Sequence, residues 1–381
     1  MKDRVAVIGI GCTKFGDRFE RSYEELICDA AFEAYADAGI DPSEIEAAYL
    51  GTYLPGPGGG KAAVSLADAL RLYDRPITRV ENYCATGTDA FRNGCLAIAA
   101  GTYDMVLVLG AEKLKDRGGR GIPRLGHPLL ARGNTAPGLF ALAANRYIHT
   151  FGLRRETLAK VAVKNHRNGA LNPKAHLRME VTEEQVLNAP IIAWPFGLFD
   201  CCPTTDGAAA TIICRADMAK RFRKAPVLVK GAGLAVTSGR PYFDPTFDYL
   251  GFRSTQAAAQ QAYAMAGIAP SDIDFAEVHD CFTWTEISNI EDLGFCRKGE
   301  GGRLVEDGRT ALDGRLPINP SGGLKSFGHP IGASGVRMIT ECVVQLRGEA
   351  GKRQVKDPEL GLAHNVGGPG AVSCVVVLGR G

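Results

Sequence analysis

The chain has 381 residues, 45% hydrophobic and 23% charged; that is the balance of a soluble globular protein and enough for two domains or one large duplicated core. A net charge of +2 excludes a surface built globally for nucleic acid. Eleven cysteines without a CxxC pair exclude a zinc ribbon or a secreted disulfide framework, so free thiols in a reducing, cytoplasmic compartment are expected, with no metal site.

In chain order, Val5–Gly11 reads as a buried strand, too short for a membrane span. A helix closing at Ala38-Gly39-Ile40 follows, then a strand over Ala47–Tyr53 and a loop, Gly51–Lys61, that is glycine-rich from Gly56 to Gly60. Glu81-Asn82-Tyr83-Cys84-Ala85-Thr86-Gly87 runs into a small-residue helix, Thr88–Ala100, which leads to a strand at Asp104–Gly110. The region 114–224 breaks this alternation with Pro-, His- and Arg-rich segments and helical patches at Leu139–Phe151 and Arg155–Asn168. It reads as an inserted cap between an N-terminal half, 1–113, and a C-terminal half, 225–381.

The second half begins with a strand at Pro226–Leu234 and continues to another at Phe275–Val278, which delivers Glu277-Val278-His279-Asp280-Cys281-Phe282. Ser321-Gly322-Gly323-Leu324-Lys325-Ser326-Phe327-Gly328-His329-Pro330 then opens a helix over Ile331–Leu346. Strands at Gly361–His364 and Ala371–Leu378 close the chain, with His364–Gly370 read as a glycine-rich turn between them.

The two halves repeat each other. Cys28–Leu50 and Gln256–Val278 share twelve of 23 residues at an offset of 228, including Ala-Gly-Ile and Pro-Ser at the same places. Self-similarity of this kind, in β-α-β units, predicts two copies packed about a pseudo-twofold axis. Cys84 and His329 then enter their helices at nearly equivalent places, and their helix starts face each other beyond the strand ends.

That arrangement has a chemistry. A cysteine at a helix N-terminus feels the positive end of the macrodipole, which favours its thiolate, and a histidine beside it can take its proton. Cys281 and His279 lie at a strand end that reaches the same place. Backbone N–H groups of the glycine-rich turn His364–Gly370 are candidates for binding an oxyanion. Between Lys113 and Glu180 fourteen Lys or Arg face three acids, an excess that suits a phosphorylated small molecule or a plain solvated face.

Asn319-Pro320-Ser321-Gly322-Gly323 with Gly328-His329-Pro330-Ile331-Gly332-Ala333-Ser334-Gly335 resembles the histidine motif of the thiolases. His279-Asp280-Cys281-Phe282 is similar to the form this region takes in the sterol-carrier-protein type and its bacterial and archaeal relatives, and His364-Asn365 stands where other thiolases carry a second catalytic cysteine. The resemblance spans nearly the whole chain. It implies an α/β fold of duplicated βαβαβ halves in α-β-α-β-α layers, and an acyl-CoA C-acyltransferase that makes or cleaves a β-ketoacyl-CoA through Cys84. His329 is then the base and His279 polarises an enolate oxygen, while Cys281 or His364 moves the α-proton. The resemblance also implies that backbone N–H groups near Cys84 and Val366–Gly367 form the other oxyanion site. Coenzyme A is a co-substrate and no cofactor is held permanently. Arg117, Arg120, Arg154, Ser321 and Gly322 become the candidates for holding it. Homo-oligomers, and a small OB-fold and zinc-ribbon partner on a separate chain, also follow from the resemblance. A decarboxylating condensing enzyme of the same fold and a non-catalytic acyl-CoA-binding subunit are the alternatives. An aldol-cleaving relative is disfavoured by the presence of Cys84.

Overall fold

The computed structural model describes residues 1–55, 59–117, 135–238 and 246–381. The first half comprises β1 (Val5–Cys12), α1 (Tyr23–Ala38), β2 (Ala47–Gly51), α2 (Val64–Leu70), β3 (Ile77–Val80), α3 (Thr86–Ala99) and β4 (Met105–Lys113). The next stretch holds α4 (Ala136–Phe151), α5 (Arg155–Ala170), α6 (Glu183–Leu187), the small hairpin β5 (Ile191–Ala193) and β6 (Phe196–Gly197), and β7 (Asp206–Arg215). The second half comprises β8 (Val227–Val236), α7 (Arg253–Ala266), β9 (Phe275–Glu277), α8 (Thr283–Asp292), α9 (Gly301–Glu306), α10 (Gly323–Phe327), α11 (Ile331–Arg347), β10 (Leu360–Gly367) and β11 (Val372–Arg380).

The duplication is visible in the sheet. Its strand order is β3-β2-β4-β7-β1-β8-β11-β10-β9, so each half runs outward from its own first strand through its last. β1 and β8 meet antiparallel at the centre, Ala6 opposite Leu228 and Val7 opposite Val227, as a pseudo-twofold requires. The repeated segments become α1 and α7, each ended by a left-handed glycine, Gly39 at φ 69° and Gly267 at φ 68°. α1 covers β1 and α7 covers β8, while α3 and α11 pack together between the two halves of the sheet. The result is the α-β-α-β-α layering expected of the fold.

The central layer is tight because its residues are small. A Cβ on Gly110 would lie 2.2 Å from the Gly332 carbonyl oxygen, and one on Gly335 would lie 2.2 Å from the Thr88 nitrogen. Only glycine permits this backbone approach, which brings the first turn of α11 against β4 and α3.

One boundary needs correction. The cap does not extend to residue 224, because β7 returns to the core between β4 and β1 and pairs antiparallel with both. Its run Gly207-Ala208-Ala209-Ala210-Thr211-Ile212-Ile213 is small and fully buried, so it lacks the alternation by which a half-exposed strand is recognised. The histidine segment is also corrected: His364 to Gly367 are strand residues of β10, in register with β11 as far as Gly367 opposite Val372, and only the residues beyond form the turn.

Candidate active site

Cys84 and His329 each stand two residues before the first residue of their helix, α3 and α11. The Cys84 turn is held by Thr86, whose hydroxyl donates to the Tyr83 carbonyl at 2.5 Å and accepts from the Asn82 N–H at 2.9 Å. Tyr83 adopts φ 49° to make this turn. On the other side Gly328, at φ 108°, turns the chain from α10 into His329. Asp280 clamps α10 by accepting from the Leu324 N–H at 2.6 Å and the Lys325 N–H at 3.3 Å.

These turns bring the Cys84 Sγ and a ring nitrogen of both His279 and His329 within 4.8 Å of one another. The two imidazoles lie edge to face, centroids 5.2 Å apart at 84°.

Their hydrogen bonds set opposite tautomers. Ser334 Oγ donates to the Pro330 carbonyl at 2.9 Å, so His329 Nδ1, 2.7 Å away, carries the proton and donates to that oxygen. Its Nε2 is left as a lone-pair acceptor without a partner among the described residues. At His279 the order is reversed. Thr88 Oγ1 donates to Asn365 Oδ1 at 2.5 Å, which turns the Asn365 amide N–H toward His279 Nδ1 at 3.2 Å. His279 therefore carries its proton on Nε2, a buried donor without a partner among the described residues. The site thus holds a thiol, a proton acceptor and a proton donor. Three such side chains could ligate a metal ion, but the Nε2 proton of His279 suits hydrogen-bond donation, not ligation.

Burial, aided by Arg337, drops the His329 pKa to about 3. Burial and then the neighbouring His329 and His364 hold His279 well below its ordinary value. Both rings are neutral at physiological pH. Cys281 is 6% exposed, its Sγ 3.9 Å from Thr285 Oγ1. Burial, then Cys202 and Cys84 beside it, pushes its thiol well above the usual range; it is a protonated thiol.

Residues 5–189 match the family model for the thiolase N-terminal domain, and residues 242–380 match that for the thiolase C-terminal domain-like family. The chain belongs to the thiolase family. It is accordingly an enzyme of the acyltransferase class. It is 43% identical to an acetyl-CoA acetyltransferase of Methanothermobacter thermautotrophicus, over 100% of both chains. It is 36% identical to sterol carrier protein 2 of Oryctolagus cuniculus, over 97% of this chain and 70% of that one. The benzoylsuccinyl-CoA thiolase subunit BbsB of Thauera aromatica is 34% identical over 97% and 96%. Among solved structures, the Ltp2-ChsH2(DUF35) aldolase superposes with a TM-score of 0.87 at 28% identity, covering 99% of this chain and 98% of that one.

Other residues expected in this thiolase site lie elsewhere. His364 faces away from Cys84: its Nε2 is 3.1 Å from Thr255 Oγ1 on α7, in the outer layer. Successive strand residues face opposite sides, so it is Asn365 that points to the site. Ser321 is fully buried, its hydroxyl donating to Glu277 Oε2 at 2.6 Å and accepting from Arg337 Nη1 at 2.6 Å. Gly322 packs against Gly169. Neither offers surface to coenzyme A; both shape the turn that leads to His329. Arg154 lies at the start of α5, its guanidinium 2.9 Å from Glu306. Arg120 is outside the described residues, as is the Arg117 side chain. Much of the basic excess is spent internally: Lys113 pairs with Asp206, Lys115 with Asp17, Lys164 with Glu286 and Lys174 with Glu33. Trp284 is a core residue against Phe252 and Tyr147.

Ser334, Asn365 and Thr88 are the site residues that sequence reasoning missed. Asn365 could have been found from the strand period, had β10 been extended through the glycines.

Proposed function

We propose that this thiolase transfers an acyl group reversibly between coenzyme A and the α-carbon of an acyl-CoA, through a thioester on Cys84. The observation that carries the reading is the opposed tautomers of His329 and His279 around one thiol. In cleavage, Cys84 Sγ attacks the β-keto carbon as its proton passes to His329 Nε2. The carbon–carbon bond breaks, and the electron pair leaves as an enolate whose oxygen accepts from His279 Nε2–H. Cys281 protonates the enolate carbon. The incoming CoA thiol then gives its proton to the Cys281 thiolate and attacks the acyl group, and Cys84 recovers its proton from His329. Gly367 abuts Asn82 and Tyr83, which supports an oxyanion site between the Cys84 and Gly367 backbone N–H groups.

Acetoacetyl-CoA is the first substrate to test, given the acetyl-CoA acetyltransferase relative; a larger aromatic β-ketoacyl-CoA is the second, given the benzoylsuccinyl-CoA relative. Arg117 and Arg120 are proposed to meet the CoA phosphates. A DUF35-type partner on a separate chain fits the name of the aldolase complex, a homo-oligomer is proposed from the family resemblance alone, and a cytoplasmic location fits the free thiols.

The test is acid-quenched protein incubated with each acyl-CoA and mapped by mass spectrometry. An acyl adduct on Cys84, and loss of turnover in Cys84→Ala, are expected. An adduct on another cysteine, or turnover that survives the substitution, rejects the proposal. Because two histidines face one cysteine, decarboxylative condensation is the second reading; CO₂ release from malonyl-CoA without α-hydrogen exchange of acetyl-CoA would favour it.

A further inference from the structure

Glu112, at the end of β4, is fully buried yet takes no part in the chemistry above. Its Oε2 accepts from the Gly332 N–H at 2.8 Å and the Tyr53 N–H at 3.0 Å, and its Oε1 accepts from the Leu54 N–H at 2.9 Å. Gly332 lies between His329 and Ser334, the base and the hydroxyl that orients it. Tyr53 packs on Tyr83, ring centroids 5.7 Å apart, and Tyr83 precedes Cys84. One carboxylate of the first half therefore ties the neighbourhood of the nucleophile to the first turn of the helix that carries the base. It also supplies a negative charge to the N-terminus of α11, which that helix's own first turn lacks. Gly332 is held from both ends, since its carbonyl oxygen is wedged against Gly110 and Gly87.

We infer that Glu112 is a positioning residue for the Cys84–His329 pair, fixing the distance and angle between them across the two halves. The inference rests on the roles proposed for those two residues. Groups facing the carboxylate are Arg79 from β3, the Tyr23 phenol from α1 and the N-terminal turn of α11. Burial raises its pKa to about 7, against the pull of the three N–H donors and Arg79. Protonation converts one oxygen to an O–H, a weaker acceptor, and removes the charge that strengthens all three N–H bonds. The clamp is strongest when Glu112 is ionised. His329, held near 3, contributes no ionisation near neutrality.

The experiment follows iodoacetamide alkylation of Cys84 by mass spectrometry across the neutral pH range, with turnover of acetoacetyl-CoA and thermal unfolding, in wild type, Glu112→Gln and Glu112→Ala. Wild type is expected to alkylate faster above a midpoint near pH 7. In folded variants that step vanishes, and alkylation and kcat fall together, by up to about 10²-fold in Glu112→Ala, while KM changes little. The rate step persisting in Glu112→Gln, or folded variants that alkylate Cys84 as wild type does, overturns the inference. If neither variant folds, Arg79→Gln serves: loss of its charge moves the wild-type step to higher pH, and an unmoved step overturns the inference equally. Turnover that survives Cys84→Ala would sink the underlying functional reading instead.

Discussion

The Asn365 side chain donates an N–H to His279 Nδ1 at 3.2 Å, and that bond leaves the His279 proton on Nε2, a buried nitrogen without a hydrogen-bond partner among the described residues. Asn365 is itself oriented by Thr88 from α3 and lies 3.2 Å from Met338 Sδ on α11. The His279 ring is thus oriented by a residue from the strand next to its own, locked by the two central helices.

Replacing that amide should cost catalysis without unfolding the chain. In Asn365→Asp a carboxylate accepts from Nδ1, the tautomer reverses and the inward donor is lost. Loss of one oxyanion donor typically lowers kcat by about 10²- to 10³-fold, and that range is expected, with KM for the acyl-CoA nearly unchanged. Steady-state kinetics checks it; a kcat within about threefold of wild type would show that His279 does not act through this nitrogen.

Cys281 and His364 are separated by their surroundings. Cys281→Ala should still acylate Cys84 but lose α-hydrogen exchange of acetyl-CoA in deuterated water, by about 10²- to 10⁴-fold as for other general acids and bases. His364→Ala should exchange those hydrogens normally, because its ring bonds to Thr255 in the outer layer. The reverse pattern in the exchange assay would assign the proton to His364.

Acid stability offers a third check. Burial holds His364 to about 3, against an ordinary 6.5. The unfolded chain therefore binds a proton at this residue between those pH values while the folded chain does not, so the contribution of His364 is intact above pH 6.5 and is lost as pH falls toward 3. His364→Asn removes this dependence. The stability gap between wild type and variant should shift by about 2 kcal/mol between neutral pH and about pH 5, against wild type. Urea unfolding at the two pH values measures it, and a gap constant with pH would mean that the imidazole is protonated in the folded state.

Arg337 carries structural weight of another kind. Its guanidinium is 1% exposed, bonds Glu277 Oε2 at 2.5 Å and lies over the Phe327 ring at 4.7 Å. Arg337→Met leaves Glu277 charged and buried, which should cost about 3–5 kcal/mol in unfolding free energy. Adding Glu277→Gln should recover part of that loss, since the stranded charge is removed. A double variant no more stable than Arg337→Met alone would show that the packing of Arg337, and not its charge, is what matters.

The layering followed from the thiolase resemblance, while the local signals in the chain were sufficient for the duplicated halves and the Cys84–His329 pair. Each depends on short-range features: small residues before a helix, a glycine permitting a left-handed turn, and a 23-residue segment repeated 228 positions later. The residues that tune the pair could not be read this way. His364 and not Asn365 stands out in the sequence, because one position along a strand reverses the face presented and the glycines after it conceal how far β10 extends. Ser321 resembles a ligand-binding residue by composition, yet Glu277 and Arg337, from other elements, consume its hydroxyl. The basic excess between Lys113 and Glu180 reads as available in sequence, but folding pairs Lys113, Lys115, Lys164 and Lys174 with Asp206, Asp17, Glu286 and Glu33, all distant in the chain. Helix starts and repeats are encoded by neighbours in the chain; tautomers, buried pairs and strand faces are decided by neighbours in space, and these exist only after the two halves have closed on α3 and α11.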